Sequence, residues 1–382
     1  MKVETLLGTY YNKRVLVTGH TGFKGSWLAL WLIQLGASVY GYALEPPTNP
    51  SLFEFLDLKN LIHRHQIADI RDLETLQKTI DDVKPDIIFH LAAQSKVIES
   101  YSSPLETVEV NTIGSLNVME AVRLSGLPMS IVMVTTDKCY ENKEWVYGYR
   151  ECDAIGGYDP YSASKGAAEL LISSWRNSFF HSSRLAQHGV RIASVRAGNV
   201  IGGGDWTEYA LVPTCIEYLK KHVPIPIKNP SATRPWQHVL EPLSGYLKLG
   251  ERLLNSDTEN IRSYCDAFNF GPSVKSNKTV KEFVEKLIHY WGEGQWEQIS
   301  AAEIQHEATL LHLATEKAYH QLQWQPLWNL NTAVRQTVAW YKMAINEPSQ
   351  LKNFTVDQIN QYSDSMDKYR VPLKEIDFIR NA

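Results

Sequence analysis

The sequence predicts an α/β fold: a doubly wound parallel sheet with a smaller C-terminal α/β lobe. Two observations carry this expectation. A short β-branched run, Val15-Leu16-Val17, leads into three spaced glycines, Gly19, Gly22 and Gly25, and then into an apolar helical stretch from Ser26 to Leu35. Strand-like runs and helix-period stretches then alternate as far as Ala197, and strands separated by helices pair in parallel between two helical layers.

Taken in order, Ala37 to Tyr42 reads as the second strand and Asp86 to Leu91 as a buried one, after Pro85. Thr107 to Leu124 has helical period, Ser130 to Thr135 is a strand, Tyr161 to Phe180 a helix and Val190 to Arg196 a strand. After Ala197 the texture changes. Gly202-Gly203-Gly204 is a loop, and Pro213, Pro224, Pro226, Pro230 and Pro235 punctuate short elements, so a second lobe is expected to begin here. Val239 to Leu254 reads as a helix, Asp266 to Phe270 as a last strand, and Lys352 to Arg380 as a surface helix.

Composition bounds the function. The chain has 382 residues, enough for one large domain or two coupled ones. Lys and Arg number 38 against 42 Asp and Glu, a balance that argues against a general nucleic-acid surface. The longest strongly apolar stretch, Trp27 to Ile33, is far short of the ~20 residues of a membrane span, and Met1 to Arg14 lacks a signal-type apolar core. Cys139, Cys152, Cys215 and Cys265 form no CxxC pair, which argues against a disulfide scaffold and a cysteine zinc site. His63-Arg64-His65 has neither an HExxH motif nor a companion acid cluster and reads as a solvated loop, so no metal is expected. The expectation is a cytoplasmic enzyme with no membrane or nucleic-acid partner.

Thr18-Gly-His-Thr-Gly-Phe-Lys-Gly25 lies between strand and helix, where bare backbone and a helix N-terminus suit a pyrophosphate. A tight turn without ligand is the bland alternative. The loop places Gly19, His20, Thr21, Gly22, Phe23, Lys24 and Gly25 at a dinucleotide. The ribose-binding acid of such folds is missing, because the second strand ends in Gly41-Tyr42-Ala43 and the first acid is Glu45. That leaves NAD against NADP open and points to weaker cofactor binding. Asp69 and Ile70 follow a short strand-like run and are expected at the adenine edge; Asp69 can equally cap a helix ahead of Leu73. Residues 1–197, rejoined by 236–270, are thus expected to form a Rossmann-type cofactor domain, with 198–235 and 271–382 as the substrate lobe.

Tyr161 and Lys165 stand four apart at a helix start, on one face. A phenol with pKa ~10 is a poor base at neutral pH, but a neighbouring ammonium favours the phenolate. Such a pair can take a proton from an alcohol while hydride leaves for a cofactor. Thr135-Thr136-Asp137-Lys138 follows a strand, and ligands bind beyond the carboxyl ends of parallel strands. Thr136 can bond a substrate oxygen, and Asp137 with Lys138 is a second acid–base pair that simple dehydrogenation would not need.

Thr18 to Gly25, Leu91-Ala92-Ala93-Gln94-Ser95, Asn111, Tyr161 with Lys165, and Arg196-Ala-Gly-Asn199 together resemble the extended short-chain dehydrogenases/reductases, from about residue 13 to 345. Thr136-Asp137-Lys138 is similar to the Thr-Asp-Glu triplet of the nucleotide-sugar 4,6-dehydratases, with Lys138 in place of the glutamate. The loop Gly19 to Gly25 and the stretch Arg234 to Tyr246 resemble the branch acting on CDP-glucose.

The resemblance implies NAD, with Leu91, Ala92 and Ala93 along it and Lys165 on its nicotinamide ribose. It also implies that Tyr161 deprotonates the 4-OH as hydride leaves C4. Thr136 would hold the C4 oxygen, Asp137 protonate the departing 6-OH, and Lys138 take the C5 proton or stabilise the enolate before hydride returns to C6. Ser95, Lys96, Asn111 and Asn199 are expected at the substrate. Arg234 is expected on the diphosphate, because a guanidinium forks onto phosphate oxygens. The family also implies a homodimer or dimer of dimers through the Thr107–Leu124 and Tyr161–Phe180 helices. A 4,6-dehydratase of another nucleotide sugar, a 4-epimerase using only Tyr161 and Lys165, and a catalytically silent cofactor sensor are the competing expectations.

Overall fold

A computed structural model describes residues 6–257, 260–300 and 310–369. Its centre is a sheet of seven parallel strands: β1 (Arg14–Thr18), β2 (Ser38–Ala43), β3 (Arg64–Ile67), β4 (Ile87–His90), β5 (Ser130–Val134), β6 (Arg191–Ala197) and β7 (Ala267–Phe270). The order is β7-β6-β5-β4-β1-β2-β3. Val15 pairs with Val39 on one side and Ile87 on the other, so the chain reverses its direction of growth between β1 and β4. Such a reversal leaves a crevice beyond the carboxyl ends of the two strands, where ligands bind in this class of sheet.

Side chains alternate across the pleat and divide into two cores. Val15, Val17, Phe89 and Val132 face one side, Leu16, Ile88, Ile131 and Met133 the other. The first core is covered by α1 (Phe23–Gln34), which brings Trp27 and Trp31. The second is covered by α2 (Leu73–Val83) with Leu76 and Ile80. On the second side the expected helix over Thr107–Leu124 is two helices, α3 (Pro104–Val108) and α4 (Gly114–Ser125), joined by a π-turn over Glu109–Ile113. Beside them lies α5 (Pro160–Ser178), started by the Asp159 carboxylate, which accepts the Ser162 N–H at 2.9 Å.

The proline-punctuated segment holds α6 (Leu211–Lys220) and the short strand Ile225–Ile227, which pairs with Trp296–Gln298; Thr233–Pro235 pairs with Asn277–Thr279. A capping box between Thr279 and Glu282 starts α8 (Val280–Trp291). Between these pieces, α7 (Leu240–Asn255) packs on β5 and β6 and leads to edge strand β7. Two helices, α9 (Leu330–Asn346) and α10 (Leu351–Lys368), close the first core.

Two expectations need correction. The C-terminal helix is no mere surface element: α10 buries Leu351, Ile359 and Tyr362, whose ring meets Trp31 edge-on at 5.8 Å. The rest of the expected helix, 370–380, lies outside the described residues. Nor is His63-Arg64-His65 a loop, since Arg64 and His65 begin β3, in register with Tyr40 and Gly41. Among the described residues no group of three metal-ligating side chains occurs, and no helix is long and apolar enough to cross a membrane.

Candidate active site

A cleft of about 2080 Å³ opens beyond the carboxyl ends of the strands, between the sheet and the α6 region. Its floor is the glycine loop. Gly19 has φ +76°, and a Cβ there would sit 2.7 Å from the Ala92 nitrogen; one on Gly25 would sit 2.0 Å from the Gly19 carbonyl oxygen. Both glycines are therefore demanded by close packing of the loop on β4 and α1. Gly22 differs, because a Cβ there would meet only the Gly19 oxygen, at 3.5 Å, and would otherwise point into open cleft. The protein itself does not require a bare backbone at Gly22; a ligand lying on it would. Gly22 caps α1 without a side-chain bond, which leaves the first N–H groups of the helix for an anion. The loop fits a dinucleotide, with Thr21, Phe23 and Lys24 along the cleft wall and Leu91, Ala92 and Ala93 opposite.

At the far end the structure accounts for the missing strand-two acid. The space a side chain at Gly41 would fill is taken by His20, whose ring a Cβ there would meet at 2.4 Å. His20 is fully buried, its Nε2 is 2.8 Å from His65 Nδ1, and its edge meets Phe53 at 5.4 Å. Burial, with His65 adding, pushes its pKa down to about 3, so the ring stays neutral. Unlike the rest of the loop, His20 turns inward and does not line the cleft. Ile70 and Asp69 do line it. The N-cap alternative for Asp69 is overturned: Asp72 caps α2 by accepting the Thr75 N–H at 3.0 Å. Asp69 instead holds Arg71 at 2.6 Å, and this guanidinium keeps its carboxyl below the ordinary range.

Midway along the cleft the acid–base groups converge. Tyr161, in the first turn of α5, is almost wholly buried, and burial raises its pKa while the Thr136 hydroxyl acts in the opposite sense. Lys165, one turn on, lies behind the lining with Nζ 3.4 Å from the Val134 carbonyl. Burial, with the Lys24 charge adding, pushes it down to about 8. Lys24 is likewise pushed down to about 8 by burial, while Asp137 acts to raise it. Beyond β5, Thr136, Asp137 and Lys138 turn into the cleft. The Thr136 hydroxyl donates to Asp137 Oδ1 at 3.2 Å, and Lys138 Nζ lies 3.8 Å from the same carboxylate and 3.5 Å from Asn199 Oδ1. Asp137 is buried with room made by Gly198, where a Cβ would come within 2.6 Å of its Oδ2. One phenol, backed by a buried amine one turn on, and one carboxyl–amine pair thus converge on the cleft.

Of the expected substrate residues, Ser95, Asn199 and Arg234 line the cleft, Arg234 with Nη1 donating to the Thr233 carbonyl at 2.9 Å. Lys96 and Asn111 do not. Lys96 turns to Glu99 at 3.3 Å. Asn111 is fully buried in the π-turn, where its amide bonds both the N–H and the carbonyl of Gln94 at 2.9 Å and the Ser164 hydroxyl at 3.0 Å. It is a strut under the Leu91–Ser95 segment, and its polar atoms are spent there. Sequence reading missed Tyr246 on α7, buried with an unpartnered hydroxyl, whose ring faces the Lys24 ammonium at 5.9 Å. It closes the Arg234–Tyr246 stretch, which was the available signal. It also missed Tyr209, Tyr218 and Lys228, which line the lobe side, where nothing in their spacing marks them.

The chain is similar to known proteins. The GDP-mannose 4,6 dehydratase family matches residues 16–337. A curated CDP-glucose 4,6-dehydratase of Salmonella typhimurium is 49% identical over 333 residues, 87% of this chain and 91% of that protein. A dTDP-glucose 4,6-dehydratase of the same organism is 24% identical over 355 residues, covering 86% and 92%. Among solved structures, a dTDP-glucose 4,6-dehydratase of Streptomyces venezuelae with NAD bound superposes with a TM-score of 0.71 at 21% identity, over 88% of this chain and 99% of that one; at that identity it speaks for the fold. A family match over most of the chain and a relative at nearly half identity agree with the cleft: the chain belongs to the GDP-mannose 4,6 dehydratase family.

Proposed function

We propose that this chain is an NAD-dependent CDP-glucose 4,6-dehydratase, converting CDP-D-glucose to CDP-4-dehydro-6-deoxy-D-glucose and water. The observation that carries the chemistry is that Tyr161, with Lys165 one turn behind it on α5, and the Asp137–Lys138 pair meet at one cleft with a dinucleotide loop. A 4-epimerase would leave the second pair idle. The nucleotide follows from the 49% identical relative, whose name specifies CDP-glucose.

Gly22, the first turn of α1 and the Leu91–Ala93 edge would hold NAD, with Lys165 behind the nicotinamide end. Bound there, NAD would supply reversible hydride chemistry, holding in its reduced form the hydride that leaves C4 and returns to C6. Tyr161 takes the 4-OH proton, and the Lys165 ammonium favours the phenolate that does so. Thr136 holds the C4 oxygen. The 4-ketone acidifies the C5 proton, and elimination then asks for one proton taken at C5 and one given to O6. Asp137 and Lys138 supply both: Lys138 in its amine form takes the first, and Asp137 in its acid form gives the second. When hydride returns to C6, Lys138 gives the proton back to C5, and the proton Tyr161 took from the 4-OH restores Asp137 through the Thr136 hydroxyl that joins them, so every group ends as it began. Arg234 and Asn199 face the diphosphate.

A homodimer is supported by α3 and α5, which pack side by side and leave Leu105 71% and Leu170 62% exposed. Four free cysteines among the described residues fit a cytoplasmic location.

The test is a substrate panel. CDP-glucose, UDP-glucose, dTDP-glucose and GDP-mannose are each incubated with the protein and NAD, and products are read by mass and by the base-revealed keto-sugar absorbance. The proposal expects CDP-glucose to turn over fastest, to a product lighter by one water. A product of unchanged mass, or faster turnover of another nucleotide sugar, contradicts it.

A further inference from the structure

Glu169 lies one turn beyond Lys165 on α5, fully buried, and no step of the reaction uses it. Its carboxylate is saturated. Oε1 accepts the Thr135 hydroxyl at 2.5 Å; Oε2 accepts the Ser194 hydroxyl at 2.9 Å and Arg196 Nη2 at 2.8 Å. Thr135 immediately precedes Thr136, and Ser194 and Arg196 lie on β6. One side chain therefore joins the helix carrying Tyr161 and Lys165 to the strand end carrying Thr136, Asp137 and Lys138. Arg196 extends the tie: its Nη1 donates to the Tyr140 hydroxyl at 2.7 Å, and its guanidinium lies over that ring at 4.9 Å. A buried ion pair is weak evidence for stability, because desolvation offsets most of the attraction. Its placement between the two halves of the acid–base machinery supplies another reason for it.

We propose that Glu169 is a positioning residue for the reaction: its carboxylate locks the Tyr161–Lys165 helix against the Thr136–Lys138 turn. Its charge also favours the ammonium form of Lys165. This rests on the reading of Tyr161 and Lys165 as the acid–base pair. The groups that act on Lys165 are Lys24 from α1, Cys139 beyond β5 and Glu169 on its own helix, and Lys165 in turn acts on His90 of β4. Burial raises the Cys139 thiol well above its usual range and lowers His90 to about 3, so both are neutral. Lys24 disfavours the Lys165 ammonium and Glu169 favours it. Removing the Glu169 charge leaves Lys24 and burial unopposed, and Lys165 loses its proton at lower pH.

The experiment compares Glu169→Gln, Glu169→Asp and the double variant Glu169→Gln/Arg196→Met. The double variant leaves no unpaired charge in the core, and it carries the test if Glu169→Gln does not fold. The alkaline limb of kcat is expected to move to lower pH by about half a unit or more in both variants that lack the Glu169 charge. Glu169→Asp is expected to keep the limb at the wild-type pH, though with lower kcat. A limb that stays in place in folded variants that lack this charge overturns the proposal and leaves Glu169 a structural brace. A wild type inactive on CDP-glucose would sink the substrate reading alone. Acetylation of Lys165 by acetic anhydride against pH, read by peptide mass spectrometry, follows the same titration without turnover and decides the proposal in that case.

Discussion

Tyr161 and Asp137 occupy similar places, both nearly out of solvent and both bonded to or facing the Thr136 hydroxyl, yet they are assigned different protons. Tyr161→Phe removes the group proposed to take the 4-OH proton and keeps its ring in place. Turnover is expected to fall by roughly 10²–10⁴-fold, the usual span for a general base, with the thermal midpoint unchanged. Lys138→Ala tests the second pair. The proposed C5 role predicts that deuterium from heavy water enters C5 far more slowly than in wild type, by NMR of the product. Incorporation at the native rate would reduce Lys138 to a spectator. At this scale the motifs were legible because each carries its chemistry in its residue types. Asn111 was not: an asparagine reads the same whether its amide faces a ligand or struts a loop, and only the π-turn shows that its polar atoms are used up.

Among the elements, the strand–loop–helix unit from β1 to α1 shows how far spacing alone can be taken. Three glycines look equivalent in the sequence, and the structure divides them. Gly25→Ala would force a Cβ to 2.0 Å from a backbone oxygen, so it is expected to destabilise the fold by more than about 2 kcal/mol, seen as a lower urea midpoint. Gly22→Ala meets nothing closer than 3.5 Å and is expected to fold normally while weakening NAD binding about tenfold or more, measured by calorimetric titration. Equal loss of stability in the two variants would refute this division. Central strands β4 and β5 were readable because each is buried on both faces and so runs largely apolar. β3 was legible only as a short strand-like run before Asp69, and its Arg64-His65 start read as loop, since Arg64-His65-Gln66-Ile67 is an edge strand with polar side chains and owes its conformation to pairing with β2.

Over the whole molecule, the cleft depends on how the late part of the chain is tied to the early part. Glu241, fully buried at the start of α7, accepts the Trp328 N–H at 2.6 Å and the Tyr362 hydroxyl at 2.6 Å, so α7, the approach to α9, and α10 meet at one carboxyl. Burial pushes that carboxyl up to about 7. A carboxyl whose pKa rises on folding contributes its full stability below its ordinary pKa and loses it as pH climbs through the raised one. Wild type is therefore expected to lose about 3 kcal/mol relative to Glu241→Gln between pH 5 and pH 8, by urea unfolding of both. A difference independent of pH would contradict the assignment. No local pattern announces such a contact, because its partners lie far apart in the chain; for the same reason α10 read as a surface helix.

The central claim is that this cleft removes water by moving hydrogen within the sugar. The most direct measurement uses CDP-glucose deuterated at C4, with the product examined by mass spectrometry and NMR. The account predicts a product lighter by one water, with the deuterium relocated to C6. Deuterium lost to solvent, or a product still carrying its C6 hydroxyl, would contradict it.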